Sequence, residues 1–212
     1  MSFDPNSIVL DIDGVLLDCA GGFGKVARLH FGLDLPELNK SYDLGKRYGL
    51  TQDQANEVWE AMKHHEHGWR GFEVIPGARN AFFRLRARNY AIHMVSAIDE
   101  DLRGLRVECL ERHGMVPDSL HCVGGFDAPK TQVIQSLNPI MVVDDRLSNL
   151  EGIASVPYRV FVDHGDEQLG YVVHEDIIQV KSLAQWVGQW EQCQGLSPNP
   201  MISGVPGLRP SP

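Results

Sequence analysis

The chain is poor in several of the features that mark secreted, membrane or nucleic-acid-binding proteins. It has only 4 cysteines in 212 residues (Cys19, Cys109, Cys122 and Cys193), and no two form a CxxC pair. A disulfide framework would be denser and in a shorter chain, so these read as reduced thiols. No stretch approaches the ~20 apolar residues of a membrane-spanning helix. The first apolar run is broken by Asp11 and Asp13, so it suits neither a leader peptide nor a span. A cytoplasmic protein with no membrane partner is the expectation. Basic charge is scarce too: 19 Lys and Arg stand against 28 Asp and Glu, a formal net charge of −9. That argues against an extended nucleic-acid surface, where clustered Lys and Arg supply most of the affinity. It leaves small anionic substrates open, because a bound divalent cation inverts the local field. There is no internal repeat.

What remains is ordinary globular material, 43% hydrophobic and 22% charged, with length for one domain and an insert. Apolar, β-rich runs at 7–12, 90–97, 119–125, 139–145 and 158–163 read as buried strands. Helical patterns at 78–87, 101–113, 130–136 and 147–154 fall between the later ones. This rhythm predicts an α/β fold, a parallel sheet with helices on both faces. Ligands of such sheets collect at the carboxyl ends of the strands.

The interval between Asp11 and Tyr90 is far longer than one crossover needs. It carries helical patterns at 21–32 and 51–66. Thr51 is placed to cap the second, although Gln54 stands where the glutamate of a capping box is expected. A helical insert over roughly 33–72 is expected to cover the sheet edge, and inserts of that size usually serve as lids. Near the end, Leu183, Trp186, Val187 and Trp190 recur at helical spacing within 182–192. Residues 195–212 are rich in Gly, Pro and Ser and are expected to be irregular.

The strand ends carry the chemistry. The first expected strand stops at Asp11, with Asp13 two residues on; the second stops at Ser96; the fourth stops at Asp144-Asp145. A parallel sheet brings all of these to one edge, and Lys130 opens a helix near it. Carboxylates so converged repel one another, and a hard divalent cation relieves the repulsion. Mg2+, which keeps several waters, suits a site with few carboxylates. Asp18 lies past the turn and reads as a cap for the next helix.

In this order and placement, "DIDGV" (11–15), Ser96, Lys130 and the Asp144-Asp145 pair resemble the four motifs of the haloacid dehalogenase superfamily of Mg2+-dependent aspartyl phosphatases. The resemblance implies a Rossmann-like core over 1–20 and 73–194, with a helical cap over 21–72. It implies Asp11 as nucleophile and Asp13 as proton shuttle. It also implies a metal site of the Asp11 carboxylate, the Asp13 backbone carbonyl and Asp144, with Asp145 in support. Ser96, with Ala97 beside it, and Lys130 would bind the transferring phosphoryl group. Dehalogenase members resemble this chain at the first aspartate but lack the second acid, because a halide leaves without a proton. Asp13 therefore favours phosphate-ester chemistry.

A narrower resemblance, to the 5′(3′)-deoxyribonucleotidase group, rests on Phe23, Trp69, Phe72 and the run Ile75-Pro76-Gly77-Ala78. It implies nucleoside monophosphates as substrates. The chain departs from that group in "SAID" after the second strand and in a plain "DDR" at motif four. Trp69 and Phe72 suit stacking on a base or anchoring a cap hinge equally, and Phe23 suits the core. His64 and His67 stand three apart without a third ligand, which favours a solvated cluster. Lys40, Lys46 and Arg47 read as a solvated face of the insert.

The expectation is thus a phosphomonoesterase for a small phosphorylated metabolite, nucleoside monophosphates among the candidates, working as monomer or homodimer. The alternatives are a sugar-phosphate phosphatase and a non-catalytic metal- or phosphate-binding regulatory module.

Overall fold

The computed structural model describes residues 3–125, 128–166 and 172–194. Its centre is a six-stranded sheet of β1 (Asp4–Leu10), β2 (Ala91–Ser96), β3 (Ser119–Cys122), β4 (Pro139–Asp144), β5 (Tyr158–Val162) and β6 (Ile177–Val180). All neighbours run parallel, in the order β3-β2-β1-β4-β5-β6. The two central strands are therefore β1 and β4, and the order reverses between them. This is the Rossmann-like α/β fold expected from the alternation of runs.

Strand periodicity explains why both faces are covered. Ile8 and Leu10 of β1, and Met141 and Val143 of β4, enter one apolar cluster. Val9 and Val142, between them, enter a second cluster on the other face. The first cluster takes in residues of α4 (Ala78–Ala87), α5 (Arg103–Arg112) and α8 (Leu183–Cys193). The second takes in Ile134 of α6 (Thr131–Leu137) and Leu147 and Leu150 of α7 (Leu147–Glu151). Trp186 and Trp190 of α8 lie in the core as their spacing predicts.

Between β1 and α4 the chain forms α1 (Cys19–Phe31), α2 (Leu44–Arg47) and α3 (Gln52–Ala61). Helices α1 and α3 pack together, and their buried residues join the same cluster as the first sheet face. The core thus runs without a break from the sheet into residues 23–72.

Local chemistry sets the helix ends. Asp18 caps α1, its carboxylate accepting from Gly21 N at 2.8 Å. At α3 the capping box forms after all: Gln54 N donates to Thr51 Oγ1 and Thr51 N donates to Gln54 Oε1. A glutamine amide oxygen accepts that bond as a glutamate would, so the missing carboxylate costs the cap nothing in geometry.

Two expectations of extent are corrected. Expected strand 119–125 ends at Cys122, and Gly124 and Gly125 follow with positive φ. A sixth strand, β6, is added; with four residues and a polar Gln179 it has little periodic signal of its own. Residues 195–212, expected to be irregular, lie outside the described residues. No helix among the described residues is long and apolar enough to cross a membrane.

Candidate active site

The carboxyl ends of β1 and β4 open into a cavity of about 980 Å³ roofed by residues of the insert. Asp11 follows β1 directly and Asp144 closes β4, so the two arrive side by side at the point where the strand order reverses. Lys130, the N-cap residue of α6, is 2% exposed and reaches between them. Its Nζ lies 2.7 Å from Asp11 Oδ2 and 2.8 Å from Asp144 Oδ2. Asp144 also accepts from Arg146 N (2.8 Å) and from Asn149 Nδ2 (3.0 and 3.2 Å). Asp11 accepts from Ile12 N at 2.6 Å. Four sequence-predicted residues, Asp11, Lys130, Asp144 and Asp145, thus meet in one buried cluster.

One carboxylate oxygen from each of Asp11, Asp144 and Asp145 lies within 4.8 Å of the others. Gly14 makes room for this. Its φ of +75° is open to glycine, and a Cβ there would fall 2.0 Å from Asp145 Oδ2. His164 donates from Nε2 to the Gly14 carbonyl at 2.6 Å and steadies the same turn. An all-oxygen, acidic and buried donor set fits a hard divalent cation such as Mg2+.

Electrostatics point the same way. Burial pushes Asp11 up to about 7, with the Lys130 ammonium opposing and the Asp144 and Asp13 carboxylates adding to the rise. Burial, then Asp11 and Asp144, lifts Asp145 well above the usual carboxylate range. For Lys130 burial alone would lower the value, but Asp11 and Asp144 outweigh it and hold the ammonium charged. The Cys19 thiol, which also lines the cavity, is pushed well up by burial and then by Asp13, so it is a poor nucleophile.

The remaining predicted residues are placed differently from one another. Asp13 lines the cavity, and its carboxylate is bound by Arg106 Nη2 at 2.8 and 2.7 Å. Ala97 lines the cavity. Ser96 is fully buried and absent from the lining; its Oγ sits 3.5 Å from Asp13 Oδ2. Trp69 and Trp59 line the cavity, their rings 5.7 Å apart and nearly parallel, whereas Phe23 and Phe72 are fully buried. His64 and His67 belong to no cluster of three candidate metal ligands among the described residues. Arg47 corrects the expectation of a solvated basic face: it is buried, pairs with Asp166 at 2.7 Å and donates to Ser41 O. Lys40 and Lys46 remain exposed beside Glu37 and Asp43.

Three site residues carried no signal in the sequence that was recognised. Tyr42, from the insert, donates to Asp145 Oδ1 at 3.4 Å. Burial and then the Asp145 carboxylate keep its hydroxyl protonated. Asn149 was findable, as an amide one turn into the helix that follows the acidic pair. Arg106 lies within a helix of mixed polarity and has no motif to mark it.

No protein-family model matches the chain, and no curated protein matches its sequence. Solved structures do. A haloacid dehalogenase-like family hydrolase from Streptococcus pneumoniae superposes with TM-score 0.55 at 15% identity, covering 88% of this chain and 98% of that one. The chain has the haloacid dehalogenase-like fold. A predicted phosphoglycolate phosphatase from Haemophilus somnus 129pt gives 0.55 at 12% identity, covering 88% and 98%. An L-2-haloacid dehalogenase gives 0.56 at 14%, covering 88% and 100%. A predicted phosphatase and a dehalogenase thus share this fold, so the fold alone does not choose between their chemistries.

Any divalent cation held by this cluster would act on stability in a pH-dependent way, because of Asp11. Folded Asp11 titrates at about 7 and the unfolded residue near 3.8, so between these values the fold binds more protons than the unfolded chain. The contribution of Asp11 to stability therefore falls as pH rises through that window. A divalent cation bound by the ionised carboxylates would restore it. Thermal melts should show Mg2+ raising Tm over EDTA clearly at about pH 7.5 and little at about pH 5. Equal Tm with and without Mg2+ at both would contradict the metal site.

Proposed function

We propose that the protein is a Mg2+-dependent phosphomonoesterase acting on small phosphorylated metabolites through an aspartyl-phosphate intermediate. The observation that carries the reading is Asp13 at the cavity wall, two residues from a carboxylate that Lys130 contacts. A dehalogenase would have no use for that second acid, and the alkoxide of a phosphate ester needs one.

In this reading the insert over residues 21–72 acts as a cap, and 1–20 with 73–194 as the catalytic core. Asp11, Asp145 and the Asp13 backbone carbonyl would hold Mg2+. Asp144 lies beneath the cavity wall and is engaged by Lys130 and Asn149, which suits it to support, the reverse of the division expected from sequence. Mg2+ supplies charge neutralisation for the phosphate dianion and the attacking carboxylate. Lys130 adds to that neutralisation and fixes Asp11 in line with phosphorus. Asp11 Oδ attacks phosphorus; the ester P–O bond breaks and the leaving oxygen takes a proton from Asp13. Asp13, now a carboxylate, takes a proton from the water that attacks phosphorus, which frees Asp11 and inorganic phosphate. The cavity-lining Ala97 and Ile98 offer backbone amides that suit the phosphoryl oxygens better than the buried Ser96 hydroxyl does.

For substrate class, a cavity of about 980 Å³ admits sugar phosphates and nucleoside monophosphates alike. Phe72 and Phe23 are buried, and Tyr42, Trp59 and Trp69 stand at the wall. The sugar-phosphate reading is supported at least as well as the nucleotide one.

A screen of phosphorylated metabolites with and without Mg2+ should find phosphate release only with the metal, and Asp11→Asn should lower it by about 10³-fold or more. Release from none of them would favour a binding module. Asp13→Asn separates the proton role from the metal site. It should cut kcat/KM for benzyl phosphate about 10²-fold and that for 4-nitrophenyl phosphate far less, because nitrophenolate leaves without a proton. Loss of the base that activates water falls on both esters alike and appears in kcat. Equal losses on the two esters would contradict it.

A further inference from the structure

A fully buried arginine lies under the cavity floor. Arg106, in the middle of α5, has a side chain with 0% exposure. Its guanidinium centre stands 5.2 Å from the Trp69 ring and 5.2 Å from the Phe72 ring, and both residues lie on the segment returning from the insert. Its one carboxylate partner among the described residues is Asp13. The contact is made by Nη2 alone, at 2.8 Å to Oδ1 and 2.7 Å to Oδ2. Nε and Nη1 have no hydrogen-bond partner among the described residues.

We propose that Arg106 is a positioning residue for Asp13, fixing where its carboxylate stands at the cavity wall. The inference rests on the phosphatase reading above, in which Asp13 moves a proton to and from substrate.

Stability gives no reason for a charge at this place. A buried ion pair is often no better than apolar side chains of the same volume, and two buried nitrogens without hydrogen-bond partners make this one worse. The Trp69 and Phe72 rings would pack as well against a methionine or leucine. What an apolar residue would not do is hold a carboxylate. The aromatic faces on the guanidinium favour its charge and restrict its plane. Asp13 is thereby tied to a rigid helix and is not left to swing on its loop. The single-nitrogen contact also matters. A two-nitrogen fork would hold each carboxylate oxygen on its own nitrogen and fix the carboxylate's plane. A single Nη2 serves as a pivot: a small turn of the carboxylate keeps one oxygen on it and presents the other to the cavity. Because Trp69 and Phe72 belong to the returning segment, the seating of that segment and the placement of Asp13 are mechanically joined.

The test uses the full chain with Mg2+ and two esters of similar size, 4-nitrophenyl phosphate and benzyl phosphate. Arg106→Met should lower kcat/KM on benzyl phosphate about tenfold more than on 4-nitrophenyl phosphate. Arg106→Lys should recover part of that difference, since an ammonium can still bind the carboxylate. In an Asp13→Asn background, Arg106→Met should add almost nothing to the benzyl/nitrophenyl ratio. Equal loss on both esters, or an unchanged ratio effect when Asp13 is already replaced, overturns the proposal. If Arg106→Met does not fold, Arg106→Lys alone decides, by the same ratio with and without Asp13. Wild-type turnover of 4-nitrophenyl phosphate tests the phosphatase reading separately, and a chain that hydrolyses neither ester overturns both.

Discussion

The structure is organised around the cost of gathering acids where water cannot reach them. Asp11, Asp144 and Asp145 are each under a tenth exposed, and Lys130 stands among them at 2%. Burial first, and then the neighbouring carboxylates, raise the proton affinity of such groups, and Asp11 and Asp145 are both displaced upward. A fold tolerates this arrangement only if something returns the lost energy. Lys130 returns part of it through its two contacts, and a divalent cation on the cavity side would return the rest. The parallel sheet makes the cluster unavoidable: adjacent central strands end at the same level, and the chain leaves each of them with an aspartate.

The packing around that cluster keeps it from relaxing. Two apolar clusters clamp the sheet from both faces, so the strand ends cannot spread to separate the charges. Gly14 brings the loop after β1 so close to Asp145 that even a methyl group would collide. On the opposite side, insert residues Tyr42 and Arg47 reach down to Asp145 and to Asp166. The insert is therefore held to the core by the same carboxylates that line the cavity, as well as by the shared apolar cluster.

Much of the frame was legible in the sequence because strand periodicity and strand-end acids are local signals. Apolar runs that stop at Asp11, Ser96 and Asp144 place those residues at one edge without knowledge of side-chain direction. Direction is what the pattern leaves out. Ser96 ends its strand as expected, yet its hydroxyl is fully buried and directed at the Asp13 carboxylate, and Ser96 does not line the cavity. Asp144 and Asp145 are adjacent in sequence, and only the backbone turn decides which of them faces the cavity. Arg106 and Arg47 look like solvated helix charges by composition; each is buried because a carboxylate distant in sequence, Asp13 or Asp166, arrives beside it. Long-range pairs of this kind leave no spacing to read. Trp69 and Phe72 read as equally suited to stacking on a base or to anchoring a cap hinge, and tertiary packing alone buries Phe72 and leaves Trp69 at the cavity wall, while Phe23 lies in the core as read.

The central claim is that Asp11 carries the phosphoryl group between ester and water. It is tested most directly by acid-quenching the protein during turnover of 4-nitrophenyl phosphate with Mg2+ and treating it with borohydride, which reduces an acyl phosphate to an alcohol. Peptide mass spectrometry then locates the reduced residue. The account predicts homoserine at position 11, absent when EDTA replaces Mg2+. Turnover that proceeds with Asp11 unmodified, or with the label on another residue, would contradict it.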